Sequence, residues 1–302
     1  MINQDITSKL VKIYFVVCEK YKNELQYCCQ RFTNNNTPEF TDQEIMAIYL
    51  FSVHLEQRFR IKQMYDFIKN YFASWFPKLP SYVAFNTRIN NLCEAFRILS
   101  GSLLQEFAPM DASKQNSLLD SMPIITCSGK RNAKVAGEIT DKGYCSTKSM
   151  YYHGLKLHAL GFEVANQMPH PESIVMSKAS ANDLAVFKEN WGTIKNRTFF
   201  GDKIYVDKTF FEDLSMTNNS QMLTPVKAVK GKSSVLVQMD KAYDDLFSKA
   251  VSTVRQPIES FFNWLIEKTD IQRASKVRST KGLLVHVFGK LSAAFLKPIF
   301  NS

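Results

Sequence analysis

Three acidic residues stand where a carboxylate is able to do chemistry. Asp120 lies inside an apolar run that predicts a β-strand, and burying a carboxylate there is costly unless it meets a cation or a metal ion. Asp202 follows a second apolar run, at the end of a predicted strand, where ligands gather in α/β sheets. Glu259 lies in the first turn of a predicted helix that begins at Pro257, and the helix dipole favours an acid there. Each acid also has an ordinary explanation as an ion-pair partner, a cap or a first-turn residue, so position alone leaves its role open.

The segments around these acids alternate between strands and helices. Strands are predicted over residues 118–125, 151–160, 173–176, 198–202 and 225–229, and helices over residues 181–191, 210–214 and most of 243–302. Residues 129–148 are predicted as a polar loop or a wide hairpin. This order of elements implies a mixed α/β sheet with flanking helices.

The first 110 residues carry apolar side chains at helical spacing. Helices are predicted over residues 1–30, 41–55, 62–72 and 81–96. Thr41 and Glu44 fit a capping box. The last of these helices has a polar face formed by Asn86, Arg88, Asn90 and Asn91. That face is typical either of a helix-turn-helix DNA reader or of a small bundle with one solvated side, and both interpretations stay open. We expect an all-α domain over residues 1–110, followed by an α/β domain over residues 111–302.

The composition favours a basic, reduced protein. The net charge is +10, and residues 111–302 carry 26 Lys and Arg side chains against 18 Asp and Glu. A basic excess suits a polyanionic partner such as nucleic acid, although a soluble protein without such a partner is compatible with it too. The six cysteines form no CxxC pair and no cluster with zinc-ligand spacing. No apolar segment predicts a signal peptide or a membrane span, so we expect a reducing cytoplasm and no membrane partner.

Five local strings occur in an order that resembles one protein family. They are LPSY at 79–82, LDSMPI at 119–124, HGLKLH at 153–158, FGDK at 200–203 and RQPIESFF at 255–262. The last four are similar to the first-acid strand, the second strand, the second-acid motif and the helix-acid motif of bacterial insertion-sequence transposases of the DDE class. The resemblance implies that residues 111–302 form an RNase H-like catalytic domain, which cleaves DNA and transfers the cut strand.

The resemblance also implies a cofactor and partners. Asp120, Asp202 and Glu259 would hold two Mg²⁺ or Mn²⁺ ions, which prefer hard oxygen ligands, and Asp120 would bridge both. The implied substrate is double-stranded DNA, comprising the terminal inverted repeats of the element and the target. The implied working form is a homodimer on DNA, associated with the nucleoid in a bacterial cytoplasm.

Several basic residues are expected to contact DNA. The candidates are Lys130, Arg131, Lys134, Lys156, Arg255 and Lys268. Arg255 precedes Glu259 by one helical turn and is expected either to meet a phosphate or to steady that acid. Lys156 shares a strand face with His158, and both are expected to point toward the acids. The basic run at 268–281 is either a second DNA contact or a solvated helix end, and the sequence leaves both open.

Two positions depart from the family pattern. Ile204 replaces the glycine that usually follows the lysine of the second-acid motif, so the tight turn there is in question and Asp207 becomes a rival for the second acid. Ile266 replaces a lysine that is common after the helix acid, and the nearest lysine is Lys268. Two alternatives therefore stay open: a two-metal nuclease on the same fold that cleaves without joining, and a non-catalytic DNA-binding protein derived from a transposase.

Overall fold

The computed structural model describes residues 4–31, 38–106, 115–132, 135–226 and 234–296. In chain order, its helices and strands are α1 (Gln4–Asn23), α2 (Asp42–His54), α3 (Ile61–Tyr71), α4 (Tyr82–Asn91), α5 (Cys93–Glu106), β1 (Asn116–Ser128), β2 (Asp141–Cys145), β3 (Met150–Phe162), β4 (His170–Lys178), α6 (Asp183–Asn190), β5 (Thr198–Phe200), α7 (Lys208–Asn218), β6 (Gln221–Leu223), α8 (Ser234–Arg255), α9 (Pro257–Thr269) and α10 (Thr280–Ala294). None of the described helices is both long enough and apolar enough to cross a membrane.

The chain forms two compact units. The first contains Met1–Glu106, Lys134–Glu138 and Leu265–Ser302. The second contains Phe107–Ala133 and Ile139–Trp264. The predicted domain boundary between residues 110 and 111 lies outside the described residues. The contacts of α10, which that prediction assigned to the second domain, are with α2, α4 and α5 of the first unit.

The first unit is built around two helices that are apolar on nearly every side. Every residue of α2 from Ile45 to Val53 is buried, and so is every residue of α10 from Gly289 to Ala294. Helices of this kind have to be covered all round, and α10 packs against both α2 and α5. Gly289 permits the close approach, because a Cβ there would lie 2.5 Å from Cε1 of Tyr49 on α2.

The helix predictions for this unit are largely confirmed. Thr41 and Glu44 form the predicted capping box at the start of α2. The helix predicted over 81–96 is interrupted at Leu92, where α4 ends, and α5 begins at the next residue. Arg88, which was expected on a free polar face, instead forms an ion pair with buried Asp42 at 2.5 Å. The polar face of α4 is therefore partly used for packing.

The second unit contains a six-stranded mixed sheet, which confirms the predicted fold class at that level. β1 lies between β3, to which it is antiparallel, and β5, to which it is parallel. β6 continues the sheet parallel to β5. It lies at residues 221–223, ahead of the predicted strand over 225–229, of which 225–226 are not in a strand and 227–229 lie outside the described residues. β2 and β4 both pair with the other edge of β3, β2 along its first part and β4 along its second. Since β2 forms a hairpin with β3, the hairpin alternative for residues 129–148 is the one observed.

One face of the sheet packs against α6 and α7. Leu119 of β1 and Phe199 of β5 share a buried cluster with Phe187 of α6 and Leu214 of α7. Because side chains alternate along a strand, the burial of Leu119 on this face directs Asp120 to the opposite face.

The glycine in the HGLKLH string has a packing role. The register between β1 and β3 shifts between Ile125 and Cys127, where β1 runs beside Gly154 of β3. A Cβ on Gly154 would lie only 1.9 Å from the carbonyl oxygen of Ile124, so no other residue fits without moving the strands apart. This glycine helps to fix the pairing of the strand that carries Asp120.

Candidate active site

Asp120 lies on β1 opposite Ala159 of β3 and has two hydrogen-bond donors. The backbone N–H of Ser121 donates to Oδ1 over 2.7 Å. Nη1 of Arg255, at the end of α8, donates to Oδ2 over 2.8 Å. A partly buried strand acid is thus neutralised by an arginine that lies 135 positions further along the chain.

Arg255 connects two of the three candidate acids. While Nη1 holds Asp120, Nη2 donates to Oε1 of Glu259 over 2.9 Å. Pro257 starts a new helix between Arg255 and Glu259, yet the backbone N–H of Glu259 donates to the carbonyl of Gln256 and the two side chains stay adjacent. In this structure Arg255 therefore steadies Glu259. Its Nε atom is buried and has no hydrogen-bond partner among the described residues.

Asp202 directly follows β5 and begins a turn. The backbone N–H of Tyr205 donates to the carbonyl of Asp202 over 3.0 Å, and the backbone N–H of Lys203 donates to its Oδ1 over 2.7 Å. Gly201 leaves room for the buried ring of Tyr205, since a Cβ would lie 2.7 Å from Cδ2 of that ring. Ile204 does not have a positive φ. The turn after Asp202 therefore does not require the glycine that Ile204 replaces.

Replacing Gly201 with alanine is expected to lower the free energy of unfolding by about 1–3 kcal/mol, because the added methyl group overpacks the space beside Tyr205. Urea unfolding followed by circular dichroism measures the change. Gly137→Ala is the matched control, since no atom lies within 4 Å of a Cβ at that position. Equal stabilities of the two variants would show that Tyr205 does not enforce glycine at position 201.

The acids of this site influence one another. The pKa of Asp120 is raised to about 6, chiefly by burial and further by the negative charges of Asp202 and Asp183. The hydrogen bond from Ser121 and the charge of Arg255 act in the opposite direction. Asp202 is therefore close enough to Asp120 for its negative charge to raise the pKa of Asp120. Carboxylates gathered in a partly buried place favour the binding of a cation.

Asp207, the rival for the second acid, has a structural role. Its Oδ1 accepts from the backbone N–H of Phe210 and caps α7, and its Oδ2 pairs with Lys188 at 2.5 Å. The hydrogen bond from Lys188 lowers the pKa of Asp207. Both carboxylate oxygens of Asp207 are thus engaged, whereas Asp202 accepts a hydrogen bond through Oδ1.

Asp183, the first residue of α6, is an acid that the sequence analysis missed. Nζ of Lys156 donates to its Oδ1 over 2.9 Å and to the carbonyl of Ala181 over 2.8 Å. Nδ1 of buried His158 lies 3.6 Å from the same Oδ1, and its Nε2 lies 2.7 Å from Oγ of Ser177. The one available signal was the Asn-Asp start of a predicted helix directly after a strand.

The expected orientation of Lys156 and His158 needs correction. His158 is paired in register with Ser121, so it shares a sheet face with Ser121 and not with Asp120. Lys156 lies two residues earlier on the same face. Both side chains consequently meet Asp183, and they do so on the face opposite the carboxylate of Asp120.

The stability of this unit is expected to fall as the pH decreases from about 6.5 to 4, because burial lowers the pKa of His158 to about 4. His158 takes up a proton near pH 6.5 in the unfolded chain, but only near pH 4 in the folded protein. The folded state therefore loses stability relative to the unfolded chain as the pH falls from 6.5 to 4. The total loss is at most about 3 kcal/mol. Urea unfolding at pH 7.5 and pH 5 should show a smaller acid loss for His158→Gln than for the unchanged protein. An equal loss in both proteins would contradict the expectation.

The basic residues predicted to contact DNA are dispersed over the structure. Lys130 and Arg131 are exposed in the turn after β1, and Lys268 is exposed in the last turn of α9. Lys134 lies outside the described residues. The remaining two candidates, Lys156 and Arg255, are held by acids. Contact of any of these residues with DNA stays a prediction.

The three candidate acids do not form a closed set of metal ligands in this structure. Within the described ranges, no group of three His, Cys, Asp or Glu side chains is placed so that it could hold a metal ion. The guanidinium of Arg255 instead lies between Asp120 and Glu259. The carboxylate oxygens themselves are donors that suit Mg²⁺ and Mn²⁺. Asp120 and Glu259 could bind the same ion only if the guanidinium of Arg255 no longer lay between their carboxylates.

Comparison with protein-family models, with curated proteins and with solved structures gives no significant match to this chain.

Proposed function

We propose that this protein is an insertion-sequence transposase of the DDE class, in which the second compact unit is an RNase H-like catalytic domain. It cleaves DNA and transfers the cut strand to a target by phosphoryl transfer. The observation that carries the proposal is the arginine bridge, in which Arg255 ties Asp120 to Glu259 while the charge of Asp202 acts on Asp120. Two of the three acids thus share one cation, and the negative charge of Asp202 raises the pKa of the first of them.

The elements that carry the acids support this proposal. The first acid lies on the strand between β3 and β5, the second follows β5, and the third lies in the first turn of α9. This is the order of strand, strand end and helix that the resemblance implies. The mixed sheet with flanking helices is compatible with an RNase H-like domain.

The carboxylates of Asp120, Asp202 and Glu259 would hold two Mg²⁺ or Mn²⁺ ions, which supply activation of the attacking oxygen and stabilisation of the leaving oxygen. The role of the chain is to position these donors. Pairing with β3 fixes the backbone of Asp120, two residues beyond the end of the pairing with β5, and the turn closed by Tyr205 fixes that of Asp202.

Arg255 has two tasks in this proposal. In the metal-free protein its guanidinium neutralises Asp120 and Glu259, which would otherwise repel each other. With divalent ions held by these carboxylates, the guanidinium would be free of both of them. Its planar set of donors then suits a phosphate of the bound DNA. The Nε atom of Arg255 has no hydrogen-bond partner among the described residues, which is compatible with a side chain that exchanges the two carboxylates for a phosphate.

The proposed substrate is duplex DNA that carries the terminal inverted repeats, together with target DNA. The net charge of +10 supports a polyanionic partner. The proposed working form is a homodimer that brings two DNA ends together, and the proposed location is the nucleoid in a bacterial cytoplasm.

A strand-transfer assay tests this function. The full-length protein is mixed with Mg²⁺ or Mn²⁺, a supercoiled target plasmid and a labelled duplex that ends at the boundary of the element. The proposal expects labelled ends to become joined to the plasmid. Cleavage without joining would favour a two-metal nuclease, and binding without either reaction would favour a non-catalytic DNA-binding protein. Either outcome would overturn the transposase proposal.

A further inference from the structure

The first compact unit contains a cavity that the acids of the second unit do not use. Its volume is about 560 Å³. It is lined by the first residues of α3 and α10, by one side of α4 and by the loop between α9 and α10. A cavity of this size is typical of sites for small molecules or for one unit of a polymer.

The lining of this cavity is strongly basic. Six cationic residues contribute to it: Arg60, Lys62, Arg273, Lys276, Arg278 and Lys290. One acid, Asp270, lies among them, 3.8 Å from Nε of Arg273. The side chains of Arg60 and Lys276 make no hydrogen bond and no ion pair in the part of the chain that the structure describes. So many like charges around one space favour an anionic ligand.

Two helices begin at the cavity and add to its positive potential. α3 starts after Arg60, whose side chain makes no capping hydrogen bond to the first turn. α10 starts after Ser279, whose side chain accepts from the backbone N–H of Gly282. The first N–H groups of a helix lack intrahelical partners and carry partial positive charge, which is why phosphates bind there. The uncapped start of α3 offers such groups to a ligand.

Lys290 is a buried cation at the inner wall of the cavity. Only 1% of its surface is exposed. Its Nζ donates to the carbonyl of Asp270 over 3.0 Å and lies 5.4 Å from the centre of the Phe59 ring. Burial lowers the pKa of Lys290 to about 7, so its charge is poorly compensated in the unliganded protein. An anion in the cavity would supply the missing compensation.

The wall of the cavity also contains groups that could bind the uncharged parts of a ligand. Oδ1 of Asn90 is buried and has no hydrogen-bond partner among the described residues. It is an acceptor and requires a donor, which a phosphate dianion lacks and which a base or a sugar hydroxyl has. Tyr82 lines the same space, and Nζ of Lys62 lies 5.1 Å from the centre of its ring.

We infer that this cavity binds a nucleotide unit, with its phosphate among the basic residues and its base or sugar beside Asn90 and Tyr82. The assignment of that unit to a DNA strand rests on the proposed function, whereas the nucleotide chemistry does not. The inference gives one role to two features that the sequence leaves open, the polar face of α4 and the basic run at 268–281. They meet at this cavity, and near it Lys281 donates to Asn91.

DNA binding without divalent ions tests the inference, because it is then independent of the catalytic acids. The full-length protein is titrated into fluorescein-labelled duplex and single-stranded oligonucleotides in EDTA, at several salt concentrations. The cavity variant is Arg60→Gln/Lys276→Gln/Arg278→Gln. The matched control is Lys12→Gln/Lys22→Gln/Lys69→Gln, which removes three exposed charges of the same unit outside the cavity. The double variant Arg60→Gln/Lys276→Gln guards against an effect of Arg278 on its own loop, where it donates to two carbonyls.

The cavity variant is expected to bind DNA at least tenfold more weakly than the control. The slope of log affinity against log salt is expected to fall by roughly 0.7–0.9 for each phosphate that the variant no longer binds. The double variant should show part of the same change.

A second arm adds a deoxynucleoside 5′-monophosphate or inorganic phosphate and records the melting temperature. If DNA binding is unchanged but the mononucleotide stabilises only proteins with an intact cavity, the ligand is a free nucleotide. If the cavity variant matches the control in both arms, the inference is overturned, whatever the strand-transfer assay shows.

Discussion

Replacing Asp120 with asparagine is expected to abolish DNA cleavage and joining while leaving DNA affinity equal or higher. Charge stabilisation by bound ions is worth several kcal/mol in phosphoryl transfer, so the rate should fall roughly a thousandfold or more. The amide keeps the size of the side chain and an acceptor for the N–H of Ser121, so the fold should be kept. One negative charge fewer beside a polyanion should favour binding. Strand transfer and fluorescence anisotropy measure the two effects separately.

The neighbouring acids provide the controls for this experiment. Asp202→Asn should behave like Asp120→Asn. Asp207→Asn should retain joining activity and lose at most about 1 kcal/mol of stability, because the ion pair with Lys188 is lost while asparagine still caps α7. If Asp207→Asn is inactive and Asp202→Asn is active, Asp207 is the second acid. If Asp120→Asn loses both its fold and its DNA binding, Asp120 is a structural residue.

Replacing Arg255 with alanine is expected to destabilise the metal-free protein by about 2–3 kcal/mol, because Asp120 and Glu259 then lose their shared cation. The loss should stay below that of a fully buried pair, since the side chain of Glu259 is 54% exposed. Mn²⁺ should restore most of the stability, because the carboxylates then receive a different cation. Thermal unfolding with and without Mn²⁺ should therefore show a larger metal-dependent shift for Arg255→Ala than for the unchanged protein.

Arg97→Ala is the matched control for this experiment. Arg97 pairs with Glu94 on the surface of α5, and both side chains are about half exposed. Arg97→Ala should lower the free energy of unfolding by less than about 1 kcal/mol, and Mn²⁺ should not restore that loss. A destabilised Arg255→Ala protein that Mn²⁺ does not rescue would mean that the bridge is only a structural ion pair.

The sequence was informative where the local pattern determines the structure. The apolar run around Asp120 predicted β1, and the Thr41–Glu44 pattern predicted the start of α2. Both features depend on residues that are neighbours in the chain. The mixed α/β class followed from the order of such local elements. The Arg255–Glu259 contact was one of two alternatives that the sequence left open, because Pro257 interrupts the helix between the two residues.

The features that the sequence did not predict depend on distant contacts. Ion pairing of Asp120 with Arg255 requires two residues 135 positions apart to meet. The association of α10 with α2 had no sequence signal, because a helix that is apolar on nearly every side shows no single preferred face. The effect of Ile204 was overestimated, since the turn after Asp202 forms without a left-handed residue. Lys156 was expected to point toward the acids, and only the register of β3 against β1 showed which face it shares.

The central claim is that Asp120 binds a catalytic metal ion, and Asp120→Cys in the strand-transfer assay tests it most directly. A thiolate binds Mn²⁺ better than Mg²⁺, because the transition-metal ion has the higher affinity for sulfur ligands. Asp120→Cys should therefore be inactive with Mg²⁺ and regain joined product with Mn²⁺, whereas Asp120→Asn should stay inactive with either ion. A cysteine variant that is as inactive with Mn²⁺ as the asparagine variant, or equally active with both ions, would contradict a metal-binding role for Asp120.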